Sequence, residues 1–377
     1  MPPRAKLVAA ALFSGAANIQ LCSADSLLAT NGPLVTNMNP AVLDMGAFGR
    51  LHITGAIGGL AFLQDNPSVG DKRAAADLDN ALMFVQNGDD WLQLFAAFGD
   101  YSLPSLGTAY LSASRTPDRT YGDFPEAFVK AALFDGFSIQ AGKLPSLIGE
   151  ESVFTVQNFN VERGLLWNQT PSVSRGVQLN YASGPVGLSL SWNDGFYSNR
   201  FNWIAGSASY TLDSDGGAIT LIGGANLGHT VYADFATPLA QNNSAILNLA
   251  YSVVLGALTL NPYIQVSGIP ANRAAGLTGR SRTIGAAMLL VRKLSENWSI
   301  GARGEYLGSQ GATNLLYGAG SKACSFTITP TYQKGVMFAR AEASYVVLSH
   351  AEPGFELGRE ADNNSQARLM FETGILF

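Results

Sequence analysis

The chain has 377 residues, of which 14% are charged and 47% hydrophobic, and its formal net charge is −5 at neutral pH. Typical soluble domains carry roughly 25% charged residues, so this composition argues against an ordinary soluble enzyme. The mild acidity offers no basic surface for nucleic acid, and we expect no nucleic-acid partner.

The first 24 residues are typical of an export signal. Arg4 and Lys6 provide the basic start, residues 7–21 the apolar stretch, and Cys22-Ser-Ala24 the small residues of a cleavage site. We therefore predict a signal peptide over residues 1–24 and a mature protein over 25–377. Cleavage removes Cys22, so Cys324 has no intramolecular partner and no disulfide framework is expected.

From about residue 50 onwards, apolar and small polar residues alternate with the period of a β-strand. The clearest example is residues 186–192, where Val, Leu and Trp alternate with Gly and Ser. Soluble sandwiches also alternate, but their polar face normally carries Lys, Glu and Arg, whereas here it is mostly Ser, Thr, Asn, Gln and Gly. Sixteen such strands are predicted, at about 50–63, 78–87, 91–100, 126–134, 137–144, 175–182, 186–193, 202–212, 218–227, 245–254, 258–267, 283–293, 298–307, 323–333, 337–348 and 368–377.

The connections between these strands alternate between long loops and short turns. The turns carry Gly, Asn or Asp where positive φ is needed, as in Asp135-Gly136 and Lys334-Gly335. Outer-membrane barrels have the same asymmetry of short periplasmic turns and long extracellular loops. We therefore predict an all-β fold: a closed, antiparallel, sixteen-stranded transmembrane β-barrel in the outer membrane of a Gram-negative bacterium, surrounded by lipid and lipopolysaccharide.

The third long connection, residues 145–174, exceeds the length of an ordinary exposed loop, and loops of that length commonly carry function. If it folds inward, it narrows the channel. Its candidate constriction residues are Glu150, Glu151, Asn158, Asn160, Glu162 and Arg163.

Strand phase predicts which charged and polar side chains face the lumen. Arg303 and Glu305 are two steps apart on one face, and so are Arg340 and Glu342. Two interpretations stay open: internal salt bridges that stiffen the wall, or a transverse field that sorts solutes by charge. The lumen-facing candidates from the strands are Lys130, Gln140, Gln178, Asn180, Arg303, Glu305, Arg340 and Glu342.

The last strand alternates apolar residues and ends in a C-terminal Phe. This ending resembles the signal that the barrel-assembly machinery reads, with Phe371, Ile375 and Phe377 as its candidate residues. The barrel-assembly machinery is therefore an expected partner.

In hydrocarbon every backbone polar group must be satisfied, so a spanning sheet must close on itself. About eight strands leave an interior that side chains fill, whereas sixteen leave an aqueous channel. The strand number thus predicts passive diffusion of ions and small hydrophilic solutes.

The stretch Gly142-Lys-Leu-Pro-Ser-Leu-Ile-Gly-Glu-Glu151, with Arg163-Gly-Leu-Leu166 and Ser174-Arg-Gly-Val177, is similar to the OmpL-like β-barrel porin family. This resemblance covers residues 137–195, and the whole mature chain also looks like the general sixteen-stranded porins. It implies that the third loop forms the constriction and that the protein is a homotrimer. The chain lacks a dense arginine ladder, so strong anion selection is not expected.

Other functions find less support in the sequence. The histidines are His52, His229 and His350, with no nucleophile motif and no metal-ligand spacing around them. We predict no catalytic residue, no metal and no cofactor. The alternative function is a largely closed barrel whose surface loops serve adhesion, recognition or membrane integrity.

Overall fold

The computed structural model describes residues 32–377 except 38, 47–48, 88–90, 213–215 and 312–315. The predicted signal peptide, residues 1–24, lies outside the described residues. Within this described part of the chain, seventeen strands form one antiparallel sheet. They are β1 Ala41–Asp44, β2 Arg50–Gln64, β3 Ala74–Asn87, β4 Leu92–Tyr101, β5 Glu126–Phe134, β6 Phe137–Pro145, β7 Val173–Ser183, β8 Val186–Asn193, β9 Trp203–Thr211, β10 Ala218–Asn226, β11 Ala245–Leu255, β12 Leu258–Ile269, β13 Ser281–Lys293, β14 Trp298–Gly311, β15 Lys322–Lys334, β16 Met337–Ser349 and β17 Ser365–Leu376.

The barrel closes where the last strand pairs with β2. Nine consecutive residue pairs, from Arg368↔Gln64 to Leu376↔Ala56, join β17 to β2. The predicted closed sixteen-stranded antiparallel barrel, here β2–β17, is confirmed. The short β1 was not predicted; it pairs with the first residues of β2, from Ala41↔Ile53 to Asp44↔Arg50.

The strand pleat points the long apolar side chains outward. In β8, Leu188, Leu190 and Trp192 are 44%, 54% and 58% exposed, whereas Ser189 and Ser191 are 7% and 3% exposed. Apolar side chains on the outside of a sheet would be unfavourable in water, but they are favourable in contact with the hydrocarbon of a membrane. The alternation therefore distinguishes a lipid face from an interior face.

Several inward positions are apolar, so the barrel does not divide simply into an apolar outer face and a polar inner face. Leu82, Phe84, Leu289 and Phe338 face the interior and are 0–3% exposed. They are buried because connections between strands fold into the barrel and cover them.

Short and long connections alternate along the chain. The turns between strands span 88–91, 135–136, 184–185, 212–217, 256–257, 294–297 and 335–336, and define the short-turn end. The opposite, long-loop end carries 65–73, 102–125, 146–172, 194–202, 227–244, 270–280, 312–321 and 350–364. Two four-residue helices, α1 Thr116–Arg119 and α2 Leu239–Asn242, lie in these loops. No helix in the described part of the chain is long and apolar enough to cross a membrane.

The C-terminal strand carries its apolar side chains on the outer surface. Phe371 and Ile375 are 49% and 37% exposed. The backbone of Phe377 exchanges hydrogen bonds with Gly55 of β2, at 2.7 and 2.9 Å. A Cβ on Gly55 would lie 2.3 Å from the Phe377 ring, so glycine makes room for the terminal aromatic side chain.

Candidate functional site

The connection from β6 to β7, residues 146–172, folds into the barrel, and we call it the inward loop. Its apolar side chains between residues 147 and 166 are 0–6% exposed. A surface loop of this composition would leave those side chains in water, so burial against the wall stabilises the inward position. Two short 3₁₀ turns, Thr155–Gln157 and Trp167–Gln169, give the loop regular backbone structure.

Apolar side chains of the inward loop join four buried clusters on the wall, three of which contain two or more loop residues. Phe154 and Val156 belong to a cluster with Leu82, Phe84 and Phe338, from β3 and β16. Leu165 and Leu166 belong to a second cluster, with Tyr263, Ala287 and Leu289 of β12 and β13. The start of the loop, Leu147 and Ile148, joins a third cluster that includes Trp203, Ile222 and Ile246.

Two glutamates of the wall hold the backbone of the inward loop. Glu342 accepts hydrogen bonds from the amides of Val161 (2.6 Å) and Glu162 (2.9 Å). Glu305 accepts from the amides of Leu165 (2.9 Å) and Leu166 (3.2 Å). Because a carboxylate offers two acceptor oxygens, each glutamate satisfies two successive amides that lie away from any strand.

Arg303 connects the same wall to the acidic side of the loop. Its guanidinium donates to Glu151 Oε1 (2.6 Å) and to the Glu162 carbonyl (2.7 Å). It also forms an ion pair with Glu305 at 3.2 Å. Hydrogen bonds to charged groups are stronger than neutral ones, so Arg303 fixes both the loop and the wall glutamate.

Arg340 is the centre of a second set of contacts. It pairs with Glu372 of β17, and it donates to the Asn158 carbonyl at 3.2 Å. Thr155 Oγ1 lies 2.8 Å from Glu372 Oε1 and 2.7 Å from Asp79 Oδ2. The loop is therefore anchored to β3, β16 and β17 through a chain of polar contacts.

Arg163 lies inside the loop rather than on an open surface. Its side chain is fully buried, its Nε donates to the Ser152 carbonyl at 3.3 Å, and its guanidinium lies 5.7 Å from the Trp167 ring centroid. Burial lowers the pKa of Arg163 to about 10, which leaves it charged at neutral pH. Burial likewise raises the pKa of Glu151, and the Arg303 charge opposes this effect.

The structure brings most of the sequence-predicted site residues into one polar network. Arg368 pairs with Glu162, and Asn160 Nδ2 donates to Thr329 Oγ1 at 2.7 Å, which in turn donates to Glu342. The Arg303–Glu305 pair exists, whereas Arg340 pairs with Glu372 instead of Glu342. Glu150 is 4% exposed beside this network. Whether these residues contact solute remains a prediction.

Two predicted residues, Lys130 and Gln140, lie away from this network. They are paired across β5 and β6 and are half-buried. Direct cross-strand pairs extend from this pair to neighbouring strands on both sides. Together they form a row across β4–β8 that consists of Gln93, Lys130, Gln140, Gln178 and Ser191. This row is polar and carries one charge.

Comparisons with known proteins agree with this architecture. The model of the family described as "putative beta-barrel porin-2, OmpL-like" matches residues 50–377. This chain belongs to that porin family. It is an outer-membrane porin of a Gram-negative bacterium. A search of curated protein sequences found no match.

Solved outer-membrane barrels share the fold of this porin at low sequence identity. The anion-selective porin from Comamonas acidovorans aligns with a TM-score of 0.58 and 10% identity, over 87% of this chain and 99% of its own. OmpT of Vibrio cholerae aligns with a TM-score of 0.57 and 10% identity, over 89% of this chain and 100% of its own. The channel DcaP of Acinetobacter baumannii aligns with a TM-score of 0.56 and 8% identity, over 87% of this chain and 97% of its own. At such identities the likeness concerns the fold alone.

Some anchoring residues of this porin were not identified from the sequence. Arg368 and Glu372 share the interior face of β17 with Gln366 and Met370, so strand phase could have found them. Asp79 lies at a bulge in the β2–β3 pairing, which breaks the phase. The preceding connection, 102–125, also packs inside: the Leu106 amide donates to the Arg163 carbonyl at 3.0 Å.

Gly164 provides a test of how closely the porin loop fits its wall. A Cβ there would lie 2.1 Å from Glu305 Oε1, so Gly164→Ala must displace the carboxylate that holds Leu165 and Leu166. We expect a loss of about 1–3 kcal/mol in the free energy of unfolding, as for overpacked cores.

Denaturant unfolding in detergent would measure this loss. Gly304→Ala in β14 is the matched control, because a Cβ there meets nothing within 4 Å. Equal stability of the two variants would contradict the close contact between the loop and Glu305.

Proposed function

We propose that this porin is a passive diffusion channel for ions and small hydrophilic solutes, narrowed by the inward loop. The observation that carries the proposal is that the charged anchors of this loop are grouped on one part of the wall. Its polar anchors lie on β14, β16 and β17, at Arg303, Glu305, Arg340, Glu342 and Glu372. The polar row of β4–β8, from Gln93 to Ser191, carries none of these anchors and is left to line the solute path.

The part of the wall that includes β7 and β8 is suited to hydrated, weakly charged solutes. Gln178 Nε2 and Ser189 Oγ both donate to Asn180 Oδ1, at 2.7 and 2.8 Å. Such amide and hydroxyl groups exchange hydrogen bonds with water and with polar solutes without selecting charge.

Lys130 supplies the single charge in the row from Gln93 to Ser191 and sets its contribution to ion selection. Replacing Lys130 with Glu changes the local charge by two at a half-buried lumen position. Because charged side chains that line a pore select ions by sign, we expect the reversal potential in a KCl gradient to shift towards cations.

The matched control is Lys322→Glu, an identical charge change at an exposed position on the outward phase of β15. A reversal potential that moves equally in both variants, or in neither, would place the solute path elsewhere.

Conductance tests the proposed channel itself. Purified protein in planar bilayers should open discrete ion-conducting steps. If it opens none at any voltage or salt concentration, a closed barrel with a surface role becomes the better account. We expect no enzymatic activity in either case.

Two further assignments belong to the proposal. One structure of Vibrio cholerae OmpT is described as a trimer form, which supports a homotrimer for this porin, to be measured by light scattering in detergent. The outward Phe371 and Ile375, with Phe377 against Gly55, support a C-terminal assembly signal.

A further inference from the structure

A short N-terminal segment, Gly32–Val35, enters the barrel before the chain forms β1, and we call it the strap. Leu34 is 1% exposed. It belongs to the same buried cluster as Phe84 of β3, Phe338 of β16 and Phe154 of the inward loop. The strap thus places an apolar side chain in the lumen, where its neighbours come from both the wall and the loop.

The backbone of the strap is held at both ends. The Val35 amide donates to Gln333 Oε1 at 2.8 Å, and Gln333 Nε2 donates to the Val35 carbonyl at 2.7 Å. Gln333 is the penultimate residue of β15, at the short-turn end. At the other end, a Cβ on Gly32 would lie 2.1 Å from the Asn158 carbonyl oxygen, so the strap touches the inward loop.

The inward loop and the strap are attached to the barrel wall by different kinds of contact. The inward loop is anchored by ion pairs and by several wall strands. The strap, Gly-Pro-Leu-Val, has no charged side chain and therefore forms no side-chain ion pair; its Leu34 side chain packs in the apolar cluster and its Val35 backbone is bound by Gln333. The Val35 side chain itself is 58% exposed. The strap is therefore attached to the wall more weakly than the inward loop.

We propose that the strap is a plug: it closes the short-turn end of the lumen against the inward loop, and its displacement opens the channel. This proposal rests on the proposed channel function. The pocket that Leu34 fills is apolar, so a carboxylate placed there without a partner would be expelled into water. Removing the Gln333 amide would release the strap at its other attachment.

Single-channel recording in planar bilayers tests the plug with the full-length chain. Leu34→Asp should expel the strap and raise the mean conductance about twofold, since conduction depends on the open cross-section of the pore. Gln333→Ala should raise it in the same direction without placing a charge in the lumen. Val35→Asp is the matched control, because it adds the same charge one residue further on, at an exposed side chain.

The outcomes separate the plug from the channel. A larger conductance in Leu34→Asp and Gln333→Ala, with Val35→Asp like the wild type, supports the plug. Conductance equal in all four proteins overturns the plug and leaves the channel intact. Silence in all four overturns both. If Leu34→Asp fails to fold, shown by loss of heat-modifiable mobility on gels, Gln333→Ala decides alone.

Discussion

Replacing Glu342 with Ala is expected to free the inward loop and widen the channel. The substitution removes the acceptor for three buried donors: the amides of Val161 and Glu162, and Thr329 Oγ1 at 2.6 Å. A buried donor that loses its partner costs about 1–3 kcal/mol. The two loop amides regain hydrogen bonds only by moving into water, so the docked position of the loop becomes less favourable.

The measurement is single-channel conductance, which should rise in Glu342→Ala and rise further in Glu305→Ala/Glu342→Ala. Glu342→Gln keeps one carbonyl oxygen as acceptor and should lie between Ala and the wild type. Glu296→Ala, in an exposed turn at the short-turn end, is the control for loss of an acid. Unchanged conductance in the double variant would mean that the loop does not limit the passage.

Replacing Arg340 with Ala is expected to cause a large loss of stability. Arg340 and Glu372 form an ion pair in which both side chains are 0% exposed. Removing the cation leaves the Glu372 carboxylate buried, with Thr155 at 2.8 Å and no guanidinium. Breaking a buried ion pair in this way costs about 3–5 kcal/mol.

Denaturant unfolding followed by tryptophan fluorescence would measure this loss. Removing both charges, as in Arg340→Met/Glu372→Leu, should recover most of it, because apolar replacements of a buried pair are often neutral. Arg292→Ala, at an exposed position of β13, is the control. If the single and double variants are equally unstable, lost packing rather than an unpaired carboxylate is the cause.

The sequence by itself determined the barrel wall. Strand bounds depend on local alternation and on turn residues such as Gly136 and Gly335, both of which have positive φ. These are short-range properties, so the sixteen barrel strands agree with their predicted positions to within a few residues. Strand phase also identified Arg303, Glu305, Arg340 and Glu342 as interior residues.

Only the tertiary structure decided what those interior residues contact. The register between β16 and β17 places Glu372 directly beside Arg340, although phase alone suggested Glu342 as the partner. Closure of the barrel brings β17 beside β2. Alternation separates two faces of a strand but does not show that an apolar residue such as Phe84 faces inward and is covered. The inward loop and the strap cover it through contacts far apart in the chain, which no local pattern records.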